Sequence, residues 1–322
     1  LRRNLTHLPK IELHIHLEGS ISPAEASTLA FRKDRNTDPK EIRQLYRHAS
    51  FQDFLSHFGQ LVGLLREPDD LLWLFDRVVL RLKRQGVIYA EIRVSPTVWE
   101  RHGLPPEACL RRLAERTASA PIACRLIVDG VRQWDRAMLE RDLELALALR
   151  GKGVVAFGLG GDEASAPACI FRDFAGACRE VGFPVIPHAG ETLGPEEVMS
   201  ALEVFTPPRL GHGIAAARDP RVLDEVVARR VHLEVCPTSN RKTGAVGRRE
   251  EHPLKALWAA GSHLSLGTDD PALFGTTLCR ELSWAVRRGW WTMKDVAASQ
   301  TYAAQASLLP DGQKRDLVQR VS

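Results

Sequence analysis

The chain has 322 residues, 44% apolar and 26% charged, with a formal net charge of +4 at pH 7. That is an ordinary globular balance, long enough for one large α/β domain or two smaller ones. The charge excess is small and the arginines are scattered, so the composition argues for neither a nucleic-acid nor a membrane partner.

Eight short apolar runs read as strands in chain order: Ile11–His16, Val87–Val94, Ala123–Val128, Val154–Leu159, Pro184–His188, Arg209–His212, His232–Cys236 and His263–Thr268. Helical patterns fall between them, at about 106–119, 135–150, 168–181, 194–203, 219–229, 251–260 and 279–289. Helix starts such as Pro105-Pro106-Glu107 and Gly194-Pro195-Glu196-Glu197 place proline and acid in the first turn. This alternation predicts a parallel sheet, and eight repeats favour a closed (β/α)8 TIM-type barrel over a doubly wound sheet. Residues 20–85 break the rhythm with helical patterns over Phe51–Leu65 and Asp69–Arg84. We read them as a helical insertion after strand 1, placed at the barrel mouth where a lid would sit. The expectation is a single domain over 1–322, with a polar segment from Pro310 that forms a short helix or a loose tail.

Six cysteines (Cys109, Cys124, Cys169, Cys178, Cys236 and Cys279) show no C-x-x-C spacing and read as reduced, mostly buried thiols. No run is apolar for long enough to suggest a membrane span, and no signal peptide precedes Leu1. A cytoplasmic protein is therefore the expectation.

The first strand carries a conspicuous pattern, "IELHIHLEG". Side chains alternate along a strand, so His14 and His16 project together. In a barrel of this type, functional residues sit at the C-terminal ends of strands. Those ends supply His14 and His16, then Gly160-Gly161-Asp162-Glu163, then His188 and Glu191, then His212, then Asp269 and Asp270. Three imidazoles and a carboxylate suit zinc, and His14, His16, His188 and Asp269 are the candidate ligands. Zinc lowers the pKa of a water to about 7, and Glu191, His212 and Asp270 are spare acids and bases beside it. These are the parts of a hydrolytic site.

The chain resembles the adenosine deaminase family of the amidohydrolase superfamily. The stretches that carry the resemblance are "LPKIELHIHLEGSISP", "GLGGDE", "HAGET", "RLGHGI", "LEVCPTSN" and "LGTDDPALFGTTL", in order from Leu8 to Leu278. The resemblance implies a barrel and one zinc ion, since no lysine stands at the end of strand 4 to bridge a second metal. It also implies roles. His14, His16, His188 and Asp269 would bind zinc. Glu191, protonated, would donate to purine N1, and Asp270 would hydrogen-bond N7. Gly161 would offer its N–H to N3. His212 would orient the attacking water, help take its proton and stabilise developing charge.

The partner this implies is a small-molecule purine nucleoside. Glu18 stands where adenosine deaminases usually have an Asp that contacts the ribose 5′-hydroxyl, and adenine deaminases of the family often carry Glu there. Gly161-Asp162-Glu163 and Thr238-Ser239-Asn240 look nucleoside-directed. "VDGVRQW" and "VVAFGLGGDE" resemble the subgroup acting on 6-aminodeoxyfutalosine, an adenine nucleoside whose 5′ chain ends in a benzoate. Arg132 could meet that carboxylate in a bidentate pair, and Trp134 could stack on its ring. The alternatives are a deaminase of free adenine and a non-catalytic purine-nucleoside binder. Phe51, Phe54 and Phe58 share a helical face that is buried or lines the entrance. His252 and His263 lack a partner motif and are not expected to be ligands.

Overall fold

The computed structural model describes residues 2–33, 38–48 and 50–322. Eight strands form one sheet in sequence order, and every neighbouring pair is parallel. They are β1 Lys10–His16, β2 Val87–Val94, β3 Ala123–Val131, β4 Val154–Gly160, β5 Val185–Ala189, β6 Arg209–His212, β7 His232–Val235 and β8 Leu264–Leu266. The expected (β/α)8 barrel is the observed architecture. Its seam lies between β8 and β1. There the N–H groups of Thr268 and Asp269 both donate to the His14 carbonyl, at 3.1 and 2.9 Å, and the His16 N–H donates to the Asp269 carbonyl at 2.8 Å.

β1 shows why the strand reads as it does. Ile11 and Leu13 pack outward against Leu317 and Val321, and Ile15 joins the main apolar core. Glu12 and His14 point the other way, where Glu12 accepts a hydrogen bond from the Thr268 hydroxyl and His14 meets Glu234. The period-2 alternation therefore sorts apolar residues to the helices and polar ones to the barrel interior.

That interior is not a simple apolar filling. Arg93 on β2 is fully buried, and its Nη1 donates to Asp129 Oδ1 at 2.8 Å and its Nη2 to Glu234 Oε2 at 2.9 Å. Arg209 on β6 reaches Glu91 Oε2 at 2.5 Å and stands 2.7 Å from Glu234 Oε1. Buried charges of this kind persist only when paired.

Two departures from expectation are instructive. β3 runs to Val131, three residues beyond the expected end, which brings Asp129 into the sheet beside β4. β8 is only three residues long, and the segment after it closes the seam through backbone bonds instead. The end of the chain is ordered: helices Met293–Ala306 and Asp311–Val321 cover the N-terminal end of the barrel. They are held by Gln300 Oε1 accepting from the Ile11 N–H at 2.7 Å and by the Leu308 N–H donating to Glu91 Oε1 at 2.7 Å.

Between β1 and β2 lie the helices Pro23–Lys33, Pro39–Gln44, Phe51–Val62 and Pro68–Arg84. Ties back to the barrel include Arg81 Nη2 donating to the Ser20 carbonyl at 2.6 Å and the Tyr46 hydroxyl donating to the Ile21 carbonyl at 2.7 Å. Phe51, Phe54 and Phe58 line the wall of a cavity above the C-terminal ends of the strands. All six cysteines are free, and among the described residues no helix is long and apolar enough to cross a membrane.

Candidate active site

The cavity has a volume of about 380 Å³, within the roughly 300–1,000 Å³ range of small-molecule sites. His16, His188, Glu191, His212, Asp269 and Asp270 lie at its base, with Gly160 and Gly161 beside them. Its outer wall is apolar and aromatic, and includes Phe58, Val98, Trp134 and Phe274. The strand-end residues expected from sequence are therefore brought together by the barrel.

The imidazoles are oriented by their second nitrogens. His14 Nδ1 lies 2.7 Å from Glu234 Oε2. An ionised carboxylate only accepts, so Nδ1 carries the proton and Nε2 keeps its lone pair. That Nε2 is buried, has no hydrogen-bond partner and lies 3.4 Å from Asp269 Oδ1. His188 Nδ1 likewise donates to the Leu159 carbonyl at 3.1 Å. His16 Nδ1 faces Asp129 Oδ2 at 3.5 Å, while its Nε2 stands 3.3 Å from Asp269 Oδ1. Single donor atoms of His14, His188, His212 and Asp269 all lie within 4.8 Å of one another, and so do those of His16, Asp129 and His188.

The electrostatics favour positive charge in this place. Burial pushes Asp269 up, but the adjacent His14 and His16 imidazoles outweigh it and hold the carboxyl well below its usual range. Burial opposes a charge on His16, yet the bond to Asp269 and the charges of Asp270 and Asp129 raise it to about 9. His188 is driven well below its ordinary value by burial and by Arg93, so it is neutral as a ligand must be. An orphaned imidazole nitrogen inside a set of N and O donors, where a cation is favoured, fits a single metal ion.

The acids lie on the opposite footing. Burial, then the charges of Asp269 and Glu163, raise Glu191 to about 8. Its Oε1 accepts from the Thr243 hydroxyl at 3.2 Å, and its Oε2 is 3.4 Å from His212 Nε2. Burial, with Asp269 next, pushes Asp270 well above the carboxylate range, and its Oδ1 has no partner. Glu191 is thus kept protonated, and can donate, at neutral pH, and the same causes push Asp270 in that direction. Gly19 makes room for Asp270: a Cβ on Gly19 would fall 1.6 Å from Asp270 Oδ1 and 2.5 Å from its Cβ. Gly161 sits at φ 105°, a backbone conformation that L side chains rarely adopt. His212 and Asp269 both have φ 60°, a cost of the left-handed region that is common at functional positions.

Two expected substrate contacts need correction. Arg132 is fully buried, with Nη1 on Glu197 Oε1 at 3.0 Å and Nη2 on the His188 carbonyl at 2.6 Å. It braces the His188-bearing end of β5 and does not line the cavity. Glu18 is also fully buried, and its Oε1 accepts from the Ser95 N–H at 2.9 Å and from Trp99 Nε1 at 2.6 Å. It holds the turn after β2 and does not line the cavity either. Trp134 does line it, under the guanidinium of Arg101 at 4.4 Å from the ring centroid. Arg101 is the only Lys or Arg among the described lining residues, and no described carboxylate pairs with it.

Sequence reasoning missed the supports. Glu234 stood in the quoted stretch "LEVCPTSN" without a role. Glu163 stood in a quoted motif without a role; it accepts from the N–H groups of Glu191, Thr192 and Leu193 at 3.1, 3.0 and 2.8 Å and so holds the loop carrying Glu191. Ser239 donates to Asp269 Oδ2 at 2.6 Å, and Asn240 lies 3.1 Å from His212 Nδ1.

Comparison with known proteins gives a consistent picture. Residues 9–322 match the family model described as adenosine deaminase. The chain is 37% identical over 289 residues to the aminodeoxyfutalosine deaminase of Streptomyces avermitilis, covering 87% of this chain and 81% of that protein. It is 35% identical over 285 residues to an adenine deaminase of Chelativorans sp., covering 86% and 87%. The crystal structure of an adenine deaminase from Arthrobacter aurescens superposes with a TM-score of 0.91, at 27% identity and 98% coverage of both chains.

Proposed function

The chain belongs to the adenosine deaminase family, hydrolytic enzymes that remove the amino group of adenine-type substrates, and on that premise we propose that it is a zinc-dependent deaminase of an adenine nucleoside. The observation that carries the proposal is the unpartnered His14 Nε2 facing Asp269 at the base of a cavity that also holds Glu191. His14, His16, His188 and Asp269 are the proposed ligands. Zinc, when bound, supplies a water acidic enough to give hydroxide at neutral pH.

The rest is done by the chain's own groups. Glu191 donates its proton to purine N1, which draws electrons from C6. Asp270 must also donate, because N7 is an acceptor, and its raised pKa suits that role. Gly161 lets the ring approach its backbone N–H at N3. His212 faces the oxygen added at C6, where negative charge develops. Collapse of the C6 adduct expels ammonia and leaves a hypoxanthine ring.

The nucleoside reading is supported by the cavity beyond the purine end. It continues to Phe58, Trp134 and Arg101, groups a free base would not reach for. Arg101, and not Arg132, is the cation available to an anionic 5′ arm. Comparison of kcat/KM for adenine, adenosine and 6-aminodeoxyfutalosine tests this. The nucleosides should exceed adenine by about tenfold or more, because a site built for a group rejects analogues without it. A preference for 6-aminodeoxyfutalosine should shrink in Arg101→Gln and under high salt. Free adenine turning over best would reject the nucleoside reading while leaving purine deamination intact.

A further inference from the structure

Two imidazoles of the site, His14 and His188, set Nδ1 against an acceptor, which leaves Nε2 as a lone pair, and His16 turns its Nδ1 towards Asp129 in the same sense. His212 is connected differently, and the connection can be followed outward without ambiguity. The Leu254 backbone N–H donates to His252 Nδ1 at 3.1 Å. A backbone amide can only donate, so His252 Nδ1 is unprotonated and its proton sits on Nε2. The bond is needed, since Leu254 opens the helix Leu254–Ala259 and its N–H has no partner within that helix. His252 is buried, with Trp284 and Trp290 at ring separations of 5.7 and 6.2 Å.

His252 Nε2 lies 3.3 Å from Asn240 Oδ1. Because that nitrogen donates, Asn240 must present its oxygen there, and its amide orientation is set. Its Nδ2 then donates to His212 Nδ1 at 3.1 Å. His212 Nδ1 therefore accepts, and the proton of the neutral ring sits on Nε2. That Nε2–H points into the site, 3.4 Å from Glu191 Oε2 and 3.9 Å from Asp269 Oδ2.

We propose that Asn240 and His252 are positioning residues that hold His212 as its Nε2–H tautomer, so that His212 faces the reaction centre as a hydrogen-bond donor and neither ligates the metal nor accepts a proton there. This separates four crowded imidazoles into two kinds. It favours His16 over His212 as the third histidine ligand, although His212 also lies within ligating distance of the others. It departs from the expectation that His212 helps take the water's proton. The consequence for catalysis rests on the deaminase reading above; the tautomer itself does not, because it is read without substrate.

The test is ring 15N spectroscopy of the zinc-loaded protein labelled at histidine, with His212 assigned by its loss in His212→Gln. The wild type should show a protonated Nε2 and an unprotonated Nδ1 at His212. In Asn240→Asp the side chain can only accept, so the pattern should invert. There kcat should fall about a hundredfold, the cost of removing one aimed donor, with KM changed far less and zinc retained. His252→Phe should mix the tautomers, and His252→Gln, which keeps an N–H for Asn240 Oδ1, should recover kcat towards the wild type. A His212 Nε2 that is unprotonated or metal-bound in the wild type would overturn the proposal. So would an unchanged pattern in Asn240→Asp, or equal kcat in His252→Phe and His252→Gln.

Discussion

Glu191→Gln is expected to keep its metal and its fold and to lose turnover by about a hundredfold to ten-thousandfold, the range for removing a general acid. Glutamine preserves the size of the side chain and can still accept from Thr243, as Glu191 Oε1 does at 3.2 Å. It cannot supply a proton to N1. Glu191 is not needed to hold the metal, so elemental analysis should return the wild-type content. The pH profile gives a second reading of the same group. Burial, with Asp269 and Glu163 nearby, raises its pKa to about 8, so the acid is protonated below that value and lost above it. The wild-type rate should fall on the alkaline side near that pH, and this limb should be missing in the variant. A variant with near-normal kcat would show that the proton for N1 comes from elsewhere.

The largest loss of stability is expected at Glu234, to which the sequence assigned no role. It neutralises Arg93 and Arg209 and orients His14, with all four side chains fully buried. Removing one member of such a set strands the others as uncompensated charge. Glu234→Ala should cost about 3–5 kcal/mol. Metal affinity should weaken about 10- to 100-fold, because the imidazole loses the acceptor that directs Nε2 inward. The milder Glu234→Gln keeps that acceptor and should spare affinity more than stability. Burial alone would raise the Glu234 pKa, but Arg209, Arg93 and the bond from His14 hold it well below the carboxylate range. A depressed folded-state pKa stabilises above the unfolded value of about 4.5 and loses that contribution as pH falls through the folded one. The gap between wild type and Glu234→Gln, measured by denaturant unfolding of metal-free protein, should therefore be widest near neutrality and close in acid. A gap independent of pH would mean that the loss is one of packing.

What could be read from sequence followed what short-range rules control. The His14–His16 pair was legible because alternation in a strand is a local property, and Ile11, Leu13 and Ile15 do turn outward as it requires. The barrel was legible because eight strand–helix repeats leave few other topologies. What stayed hidden depends on partners far along the chain. Arg132 seemed available to a substrate until Glu197, 65 residues away, was seen to hold it. Glu18 stood where the family places a substrate-contacting acid, but Trp99, 81 residues away, occupies it. Asp129 was missed because β3 was expected to end at Val128; the strand in fact continues to Val131. His252 carried no signal, since its meaning depends on a hydrogen bond to Asn240 and not on ligand spacing.

One measurement tests the account most directly: ammonia and hypoxanthine nucleoside released from adenosine and from 6-aminodeoxyfutalosine, followed alongside zinc content, before chelation, after it and after zinc is restored. We expect one ammonia per hypoxanthine nucleoside formed, activity in proportion to zinc up to one ion per chain, loss on chelation and recovery on zinc return. Stoichiometric zinc with no deamination of any adenine nucleoside would identify a purine binder, and full activity at two ions per chain, or without zinc, would contradict the single zinc centre.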